Sequence, residues 1–203
     1  AHLQDKCVVI LQSSKPVLCP PPPDLSRFQI TVLAHLRDVK DPFLIAKASN
    51  LLPAESRIHI VHMGGATSDR WDTLARQWTH DCKRYEWVGA VPHHQAQQIL
   101  SGSRLTVLSS RHEGAPSVFS EAAVCGVPIV STRISAAIGI LGADYPGLFD
   151  VGDETQLASM LWKAESDDAY YRQLATATTN LKQKFAPERE SNAWKSLLTA
   201  LAD

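Results

Sequence analysis

The sequence predicts an α/β domain in which a parallel sheet of about six strands carries helices on both faces. Three observations support this fold class. From Phe28 onward, short β-branched and aliphatic runs alternate with segments of helical period. The chain has 203 residues, 44% of them hydrophobic, which suffices for little more than one average domain with its own core. No internal repeat occurs at the periods of solenoid proteins.

Six segments have the length and composition of strands in such a sheet. Each is rich in β-branched, aliphatic or aromatic residues and is bounded by polar or turn-forming residues. They are residues 28–33, 58–62, 85–88, 105–108, 128–131 and 148–151.

Apolar residues recur with helical spacing between several of these strands and after the last one. This spacing places them on one face of a helix, and we expect the first three stripes named below to lie in the core rather than in a ligand site. A proline in the first turn, at Ala186-Pro187-Glu188, predicts where the last helix begins. The apolar stripes are Leu44, Ala48, Leu51 and Leu52; Trp71, Leu74, Ala75 and Trp78; Leu157, Met160, Leu161 and Ala164; Tyr170, Leu174, Ala177 and Leu181; and Trp194, Leu197, Leu198 and Leu201.

Residues 1–27 differ in composition from the rest of the chain. Val8-Val9-Ile10-Leu11 predicts a short strand, and Pro20-Pro21-Pro22-Pro23 predicts an extended, semi-rigid spacer because consecutive prolines fix φ and remove hydrogen-bond donors. We therefore assign residues 1–27 to a linker and residues 28–203 to the α/β domain. The sequence begins at Ala1-His2 without Met, so we expect a trimmed chain whose linker comes from an upstream domain.

Composition and charge argue against several classes of function. Lys and Arg total 20 against 21 Asp and Glu, so the strongly basic surface of a nucleic-acid-binding protein is not expected. The longest aliphatic run, Val8-Val9-Ile10-Leu11, is far shorter than the ~20 residues of a transmembrane helix, and we expect a cytoplasmic protein. The four cysteines form no CxxC pair and His93-His94 are adjacent, so we expect no metal site.

The segment after the fourth predicted strand has the features of an anion site at a helix start. A helix is predicted to begin at Pro116-Ser117, and Gly114 allows a ligand to approach the backbone closely. The N–H groups of a first helical turn and the helix dipole favour bound phosphate. Ligands of open parallel sheets bind at this carboxyl edge, so a nucleotide phosphate is the expected ligand.

Glu121 is a carboxylate among apolar neighbours on the same predicted helix. A buried carboxylate needs hydrogen-bond donors, and the two hydroxyls of a ribose can supply them. The competing interpretation is an exposed helical glutamate that binds nothing, and helix position alone does not exclude it.

Glu113 and Glu121 are spaced as E-x7-E at the start of the run from Glu113 to Val130. This run resembles the donor-binding signature of group 1, family 4 glycosyltransferases, which have the GT-B fold. The strand and helix order from about Phe28 to Leu201 is similar to the C-terminal, Rossmann-like half of that fold, and Val151-Gly152-Asp153 followed by a helix resembles its closing segment. The resemblance implies that residues 28–203 bind a nucleotide-diphosphate sugar, most commonly a UDP-sugar.

The resemblance also implies roles for the residues of the motif. Glu121 corresponds to the glutamate that holds the donor ribose. Glu113 corresponds to the group that contacts the donor sugar, together with the backbone of three residues, Gly114, Ala115 and Pro116. The helix start that faces the diphosphate corresponds to Ser117 and Val118. Main-chain recognition of the nucleobase is implied for the loop that contains Val91.

Two cations stabilise the leaving diphosphate in this family, an arginine from a glycine-arginine pair after the first strand and a lysine five residues further on. Lys40 fits the lysine, whereas Ala34-His35 replaces the glycine-arginine pair. Arg37 would supply the missing charge if the loop stays extended, because residues two apart on an extended chain point to the same side.

The resemblance implies a metal-independent hexosyltransferase that has no cofactor beyond its nucleotide-sugar donor. A missing N-terminal GT-B domain would hold the acceptor, so we expect the isolated chain to be inactive. Two other functions stay open. One is a non-catalytic sugar-nucleotide-binding module, and the other is an epimerase on the same two-domain plan, for which only Glu113 and His112 of the motif loop offer an acid/base pair.

Two further segments resemble one branch of this family. They are residues 35–42, which read His-Leu-Arg-Asp-Val-Lys-Asp-Pro, and residues 138–147, for which the competing interpretation is a lineage-specific loop that caps the sheet. In the branch that they resemble, which makes selenosugars, a selenophosphate takes the place of an alcohol acceptor and the donor sugar is N-acetylglucosamine.

Overall fold

A parallel six-stranded sheet lies at the centre of the molecule, in the order β3-β2-β1-β4-β5-β6. The structure is a computed structural model that describes residues 7–18, 20–22 and 24–202. The strands are β1 (Phe28–Leu33), β2 (Ile58–Met63), β3 (Tyr85–Gly89), β4 (Leu105–Leu108), β5 (Ile129–Thr132) and β6 (Leu148–Phe149). The predicted fold class is confirmed.

Helices cover both faces of the sheet because right-handed crossovers place α1 and α2 opposite α3, α4 and α5. α1 packs against α6, whereas α3 and α7 pack against α4. Two short 3-10 turns lie at Asp38–Lys40 and Lys182–Phe185. In the described part of the chain the α-helices are α1 (Leu44–Asn50), α2 (Asp69–Asp81), α3 (His93–Ser101), α4 (Ser117–Cys125), α5 (Ser135–Leu141), α6 (Glu154–Ser166), α7 (Asp168–Leu181) and α8 (Pro187–Ala202).

The strand order reverses direction at the centre of the sheet. The chain runs outward from β1 through β2 to β3, and it then returns across the sheet to β4 on the other side of β1. Ile30 pairs with Leu105 and Thr31 pairs with Thr106, and all four side chains are buried. The loops after β1 and β4 therefore diverge from adjacent strands, which opens a crevice at their carboxyl ends.

The predicted strand at Val8-Val9-Ile10-Leu11 is wrong. These residues are irregular, and Val8 and Val9 are largely exposed. Leu11 packs against the core. None of the six strands of the sheet pairs with this run. Pro20, Pro21 and Pro22 of the predicted spacer also lie outside helices and strands, while Pro23 and residues 1–6 lie outside the described residues.

Several predicted element boundaries differ from the structure. β6 ends at Phe149 because its last partner, Thr132, is also the last residue of β5. α1 ends at Asn50, so Leu51 lies beyond the helix and is 54% exposed instead of facing the core. Residues 138–141, for which a loop that caps the sheet was the competing interpretation, form the second half of α5.

The apolar stripe of the last helix is not part of the core. Trp194, Leu198 and Leu201 of α8 are 49%, 63% and 75% exposed. α8 packs mainly against the 3-10 turn that precedes it. The resemblance implies that this helix packs across a domain junction, and that stays a prediction.

A buried histidine links the three strands on one side of the reversal. Nε2 of His62 on β2 lies 2.9 Å from the carbonyl oxygen of Ala34 and therefore donates to it, and Nδ1 accepts from the Tyr85 hydroxyl at 2.8 Å. Both ring nitrogens are thus satisfied by the neutral form. Burial lowers the pKa of His62 to about 4, against an ordinary value of 6.5.

We expect this histidine to make the stability of the domain depend on pH. Since the unfolded chain binds a proton near pH 6.5 and the folded chain only near pH 4, acidification between these values favours unfolding. The full effect is about 3 kcal/mol of unfolding free energy. Urea unfolding at a series of pH values should show a steeper loss of stability for the wild type than for His62→Gln.

His94→Gln is the matched control because His94 is an exposed side chain of α3. It should keep the wild-type slope. Equal slopes for the wild type and His62→Gln would contradict this assignment.

Candidate active site

The loops after β1 and β4 are joined by an ion pair. Lys40 Nζ donates to Glu113 Oε1, and both side chains are largely buried. The Ser110 hydroxyl donates to the same carboxylate oxygen at 2.6 Å. Glu113 is therefore fixed beside the cation, and each of the two loops restrains the other.

Further hydrogen bonds hold the same two loops together. The Ser109 hydroxyl donates to the carbonyl oxygens of Lys40 and Asp41, each at 3.0 Å. The Arg111 N–H donates to the Val39 carbonyl at 2.8 Å, and its guanidinium pairs with Asp41 at 3.1 Å. The position of Lys40 is thus set by both neighbouring strands of the sheet.

The loop after β1 remains extended as far as Arg37. Arg37 has φ −160° and ψ 159°, and Leu36 forms a parallel bridge with Ala66. Leu36 is fully buried, so His35 and Arg37 on either side of it face the solvent-filled crevice. The extended loop on which a contribution from Arg37 depends is present.

His35 is oriented by a backbone hydrogen bond. Its Nδ1 accepts from the Gly65 N–H at 2.9 Å, so Nε2 carries the ring proton in the neutral form. This bond fixes the ring plane and leaves one N–H donor available to a ligand.

The helix α4 begins at the crevice without a capping side chain. Pro116 is its N-cap residue and makes no side-chain hydrogen bond to the first turn. The helix begins at Ser117, as predicted. The N–H groups of this turn and the helix dipole are therefore available to an anion.

Glu121 lies one turn further along α4 and is only 8% exposed. Burial raises the pKa of its carboxyl, while the charge of His93 and a hydrogen bond from Ser117 oppose that rise. The exposed-glutamate interpretation is therefore wrong. A buried carboxylate with an energetic need for donors faces the same crevice.

Three neighbouring cavities form one continuous crevice along the carboxyl ends of the strands. The first, of 360 Å³, is lined by His35, Arg37, Lys40, Val91 and the turn at Gly64. The second, of 160 Å³, contains Lys40, Pro116, Val118 and Glu121. The third, of 380 Å³, lies at the Glu121 end. Ser117 and His93 line all three cavities.

Most of the residues predicted for the site meet in this crevice, but three do not line it. Glu113 faces Lys40 at its edge, and Gly114 and Ala115 are exposed in the loop that leads to α4. A side chain on Gly114 would meet no atom within 4 Å, so the backbone there is open to a ligand.

His93 is the main site residue that sequence reasoning missed. It was considered only as a metal ligand together with His94, although it directly follows the loop that contains Val91. Its position at the first residue of α3 places it opposite α4 across the crevice. Gln97, Ser120 and residues 12–15 are further lining groups without a sequence signal.

Two other features of the described residues bear on the site. No group of three or more His, Cys, Asp or Glu side chains converges in a way that could hold a metal ion. A larger cavity, of 450 Å³, lies on the edge strand β3 between Arg76, His80 and Trp87. No carboxylate lines it, so it lacks the combination of cations and a buried carboxylate that the crevice has.

Comparison with known proteins agrees with this geometry. Residues 21–181 match the family described as glycosyl transferases group 1. The chain belongs to the group 1 glycosyltransferases. The O-antigen chain mannosyltransferase B of Escherichia coli is 26% identical over 138 residues, which are 66% of this chain and 35% of that protein.

Solved structures of similar fold cover most of this glycosyltransferase chain. HepE of Anabaena, in complex with UDP and glucose, superposes with a TM-score of 0.74 at 18% identity over 87% of this chain and 48% of HepE. A TarM mutant of S. aureus, bound to UDP among other ligands, gives 0.71 at 16% identity over 96% of this chain and 41% of TarM. The trehalose 6-phosphate synthase of Burkholderia multivorans gives 0.72 at 15% identity over 87% and 43%.

This glycosyltransferase chain therefore spans a third to a half of the length of the relatives that it matches. None of the helices in the described ranges is both long enough and apolar enough to cross a membrane.

Gly64 allows the ends of β1 and β2 to approach each other beside the site. Its φ is +153°, and a methyl group in place of its hydrogen would overlap the Ala34 carbonyl group and the His35 nitrogen. We expect Gly64→Ala to lower the unfolding free energy by about 1–3 kcal/mol, because the backbone of the β1 loop must shift. Denaturant unfolding measures this loss.

Gly139→Ala is the control for this substitution, since Gly139 lies within α5 and a methyl group there meets nothing within 4 Å. It should be neutral or slightly stabilising. An unchanged denaturant midpoint of unfolding for Gly64→Ala would contradict the prediction, because the β1 loop would then tolerate displacement.

Proposed function

We propose that this glycosyltransferase domain binds a UDP-sugar in the crevice and contributes to transfer of the glycosyl unit to an acceptor. One observation carries the proposal. The crevice aligns a fixed cation at Lys40, an uncapped helix start at Ser117 and a buried carboxylate at Glu121. Phosphate oxygens suit the first two groups, and a ribose diol suits the third.

The spacing along α4 supports this arrangement. Ser117 and Glu121 are four positions apart on one helix, so they lie about one turn, or roughly 5 Å, from each other. In our proposal the diphosphate lies at Ser117 and Val118, and the ribose lies at Glu121. The nucleobase then contacts the backbone near Val91, which lines the same crevice.

The donor sugar would extend toward the loop that carries Glu113. Its hydroxyl groups would contact the Glu113 carboxylate and the open backbone of Gly114, Ala115 and Pro116, which lie between the Lys40 pair and the helix start. Because Lys40 and Ser110 already hold one oxygen of Glu113, the other oxygen is the acceptor that remains for the sugar.

Catalysis in this proposal rests on stabilising the leaving diphosphate. Negative charge grows on the diphosphate as the glycosidic bond breaks, and Lys40, Arg37 and the first-turn N–H groups of α4 line the crevice in which it would lie. His35 adds an N–H donor at the position of the family arginine. We propose that these groups act without a metal ion.

The acceptor would be held by a separate N-terminal domain. This chain spans 48% of HepE and 41% of TarM, and the exposed apolar face of α8 is available to an additional domain. We propose that residues 1–27 form the linker to that domain and that residues 28–203 are its C-terminal, donor-binding partner. The isolated chain should then bind donor without turnover.

For the acceptor we propose a selenophosphate and for the donor sugar N-acetylglucosamine, on the basis of the resemblance of residues 35–42 and 138–147 to the selenosugar branch. We also propose a cytoplasmic location for the enzyme. The full-length protein, incubated with UDP-N-acetylglucosamine and selenophosphate, should release UDP. Release of UDP with an alcohol acceptor but not with selenophosphate would contradict the branch assignment and leave the proposed glycosyl transfer intact.

Nucleotide binding tests the donor site directly. Calorimetric titration of the chain with UDP, GDP and ADP should give saturable binding of UDP. Glu121→Ala should weaken that binding by about 1–3 kcal/mol, because it removes a charged acceptor of hydrogen bonds. Glu55→Ala is the control, since Glu55 is an exposed acid far along the chain from the motif.

The result tests two claims separately, which nucleotide binds and whether the site exists. Saturable binding of GDP or ADP in place of UDP would retain the site and correct the nucleotide. Absence of binding to all three nucleotides, or equal affinities for the wild type and Glu121→Ala, would overturn the proposal.

The phosphate end of the site can be tested separately. Lys40→Met should weaken binding of UDP about tenfold but that of UMP much less, because the lysine is placed against the second phosphate in our proposal. Lys47→Met, which removes an exposed lysine of α1, is the matched control. Equal losses for UDP and UMP would place Lys40 elsewhere along the ligand.

A further inference from the structure

The cavity at the Glu121 end of the crevice is closed by residues that lie far from the motif in sequence. We propose that residues 12–15, which we call the strap, form part of the nucleoside-binding surface and contact the ribose of the donor. This inference rests on the proposed donor site and adds a set of binding groups to it.

The strap faces Glu121 across a single cavity. Gln12, Ser13, Ser14 and Lys15 line one side of the 380 Å³ space, and Glu121 with residues of α3 and α4 lines the other. The remaining lining side chains are all polar: His93, Gln97, Ser117 and Ser120. A space of this size with polar walls on both sides suits the ribose of a nucleoside, whose hydroxyl groups both donate and accept hydrogen bonds.

The strap is held in place at both of its ends. The Ser13 N–H donates to Glu190 Oε2 of α8 at 2.7 Å, and the Ser13 hydroxyl bonds to the same carboxylate, which lowers the pKa of Glu190. Beyond the strap, the backbone of Val17 hydrogen-bonds the Cys125 side chain at the end of α4. Leu11, just before the strap, packs against the core.

These anchors leave Ser14 and Lys15 between two fixed points. Pro16 follows directly and restricts the backbone of Lys15 to extended conformations. The strap is therefore already ordered before a ligand binds. Little conformational entropy is lost on binding, which favours affinity.

The chemistry of the strap favours the nucleoside over the diphosphate. His35, Arg37 and Lys40, the cations assigned to the phosphates, line the other end of the crevice. The strap lines the same cavity as Glu121 instead. The amide and hydroxyl groups of the strap can each donate or accept a hydrogen bond. Lys15 brings a positive charge to the side of the cavity opposite the Glu121 carboxylate.

The experiment compares two kinds of strap variant. Gln12→Ala/Lys15→Ala removes lining groups directly. Glu190→Ala removes the anchor, although Glu190 does not line the nucleoside cavity. Lys195→Ala and Glu188→Ala, which change exposed residues of α8, are the matched controls. Thermal unfolding of each variant, followed by circular dichroism, establishes that the fold is intact.

Calorimetric titration of the whole chain with UDP and with UMP is the readout. Since both ligands carry the same nucleoside, both strap variants should lose about five- to tenfold in affinity for UDP and by the same factor for UMP. Glu190→Gln, which keeps an acceptor oxygen for Ser13, should recover most of the loss. UDP should also slow hydrogen exchange of the amides of residues 12–17 in the wild type.

Each alternative result has a distinct meaning. If the wild type binds UDP and the strap variants bind it equally well, the inference is overturned and the donor site stands. A loss confined to UDP would overturn it as well, because the strap would then contact the diphosphate. If the wild type binds no nucleotide, the proposed function fails and this inference fails with it.

Discussion

The pairing of β1 with β4 is the constraint on which the rest of the structure depends. These strands are adjacent in the sheet although three helices and two strands separate them in the chain. Two buried threonines join them, since the Thr106 hydroxyl donates to the Thr31 carbonyl at 3.1 Å and the Thr31 hydroxyl reaches the Leu105 carbonyl at 3.4 Å. Because the loops leave these strands side by side, Lys40 can meet Glu113 and α4 can begin at the crevice.

The two glutamates of the motif occupy opposite electrostatic environments. Glu113 is paired with Lys40 and accepts from Ser110, so its charge is compensated before any ligand arrives. Glu121 is buried with only partial compensation from His93 and Ser117, and its pKa is raised. The first carboxylate is pre-organised by the protein, whereas the second gains most from a ligand that donates hydrogen bonds to it.

The sheet was largely predictable from the sequence because its central strands are buried on both faces. Such strands are continuous apolar runs, and β4 and β5 are buried at every position. α3 was not predicted because Ala96 and Leu100 are its only buried side chains, which is too few for a visible stripe. Val8-Val9-Ile10-Leu11 was mistaken for a strand because strand propensity does not reveal whether a partner strand is present.

The site was predictable only where its residues belong to a local sequence pattern. Residues that reach the crevice through distant contacts could not be predicted. The helix start at Ser117 could be identified from local sequence, whereas Lys40 and Glu121 were assigned through the resemblance to the glycosyltransferase motif. The packing of α8 could not be derived from its stripe of Trp194 and Leu198, since periodicity indicates an apolar face but not what covers it. His93 and the strap enter the crevice only through tertiary structure.

The hydrogen bond between Ser13 and Glu190 joins residues that are 177 positions apart, so it closes almost the whole described chain into one loop. The entropy lost on closing a loop rises only with the logarithm of its length, but so distant a contact forms after the local contacts of the sheet and its helices. The wall that this bond holds over Glu121 is therefore completed late in folding. A nascent chain can form the strands and the Lys40 end of the crevice before α8 exists, whereas the enclosed end requires that α8 has been synthesised.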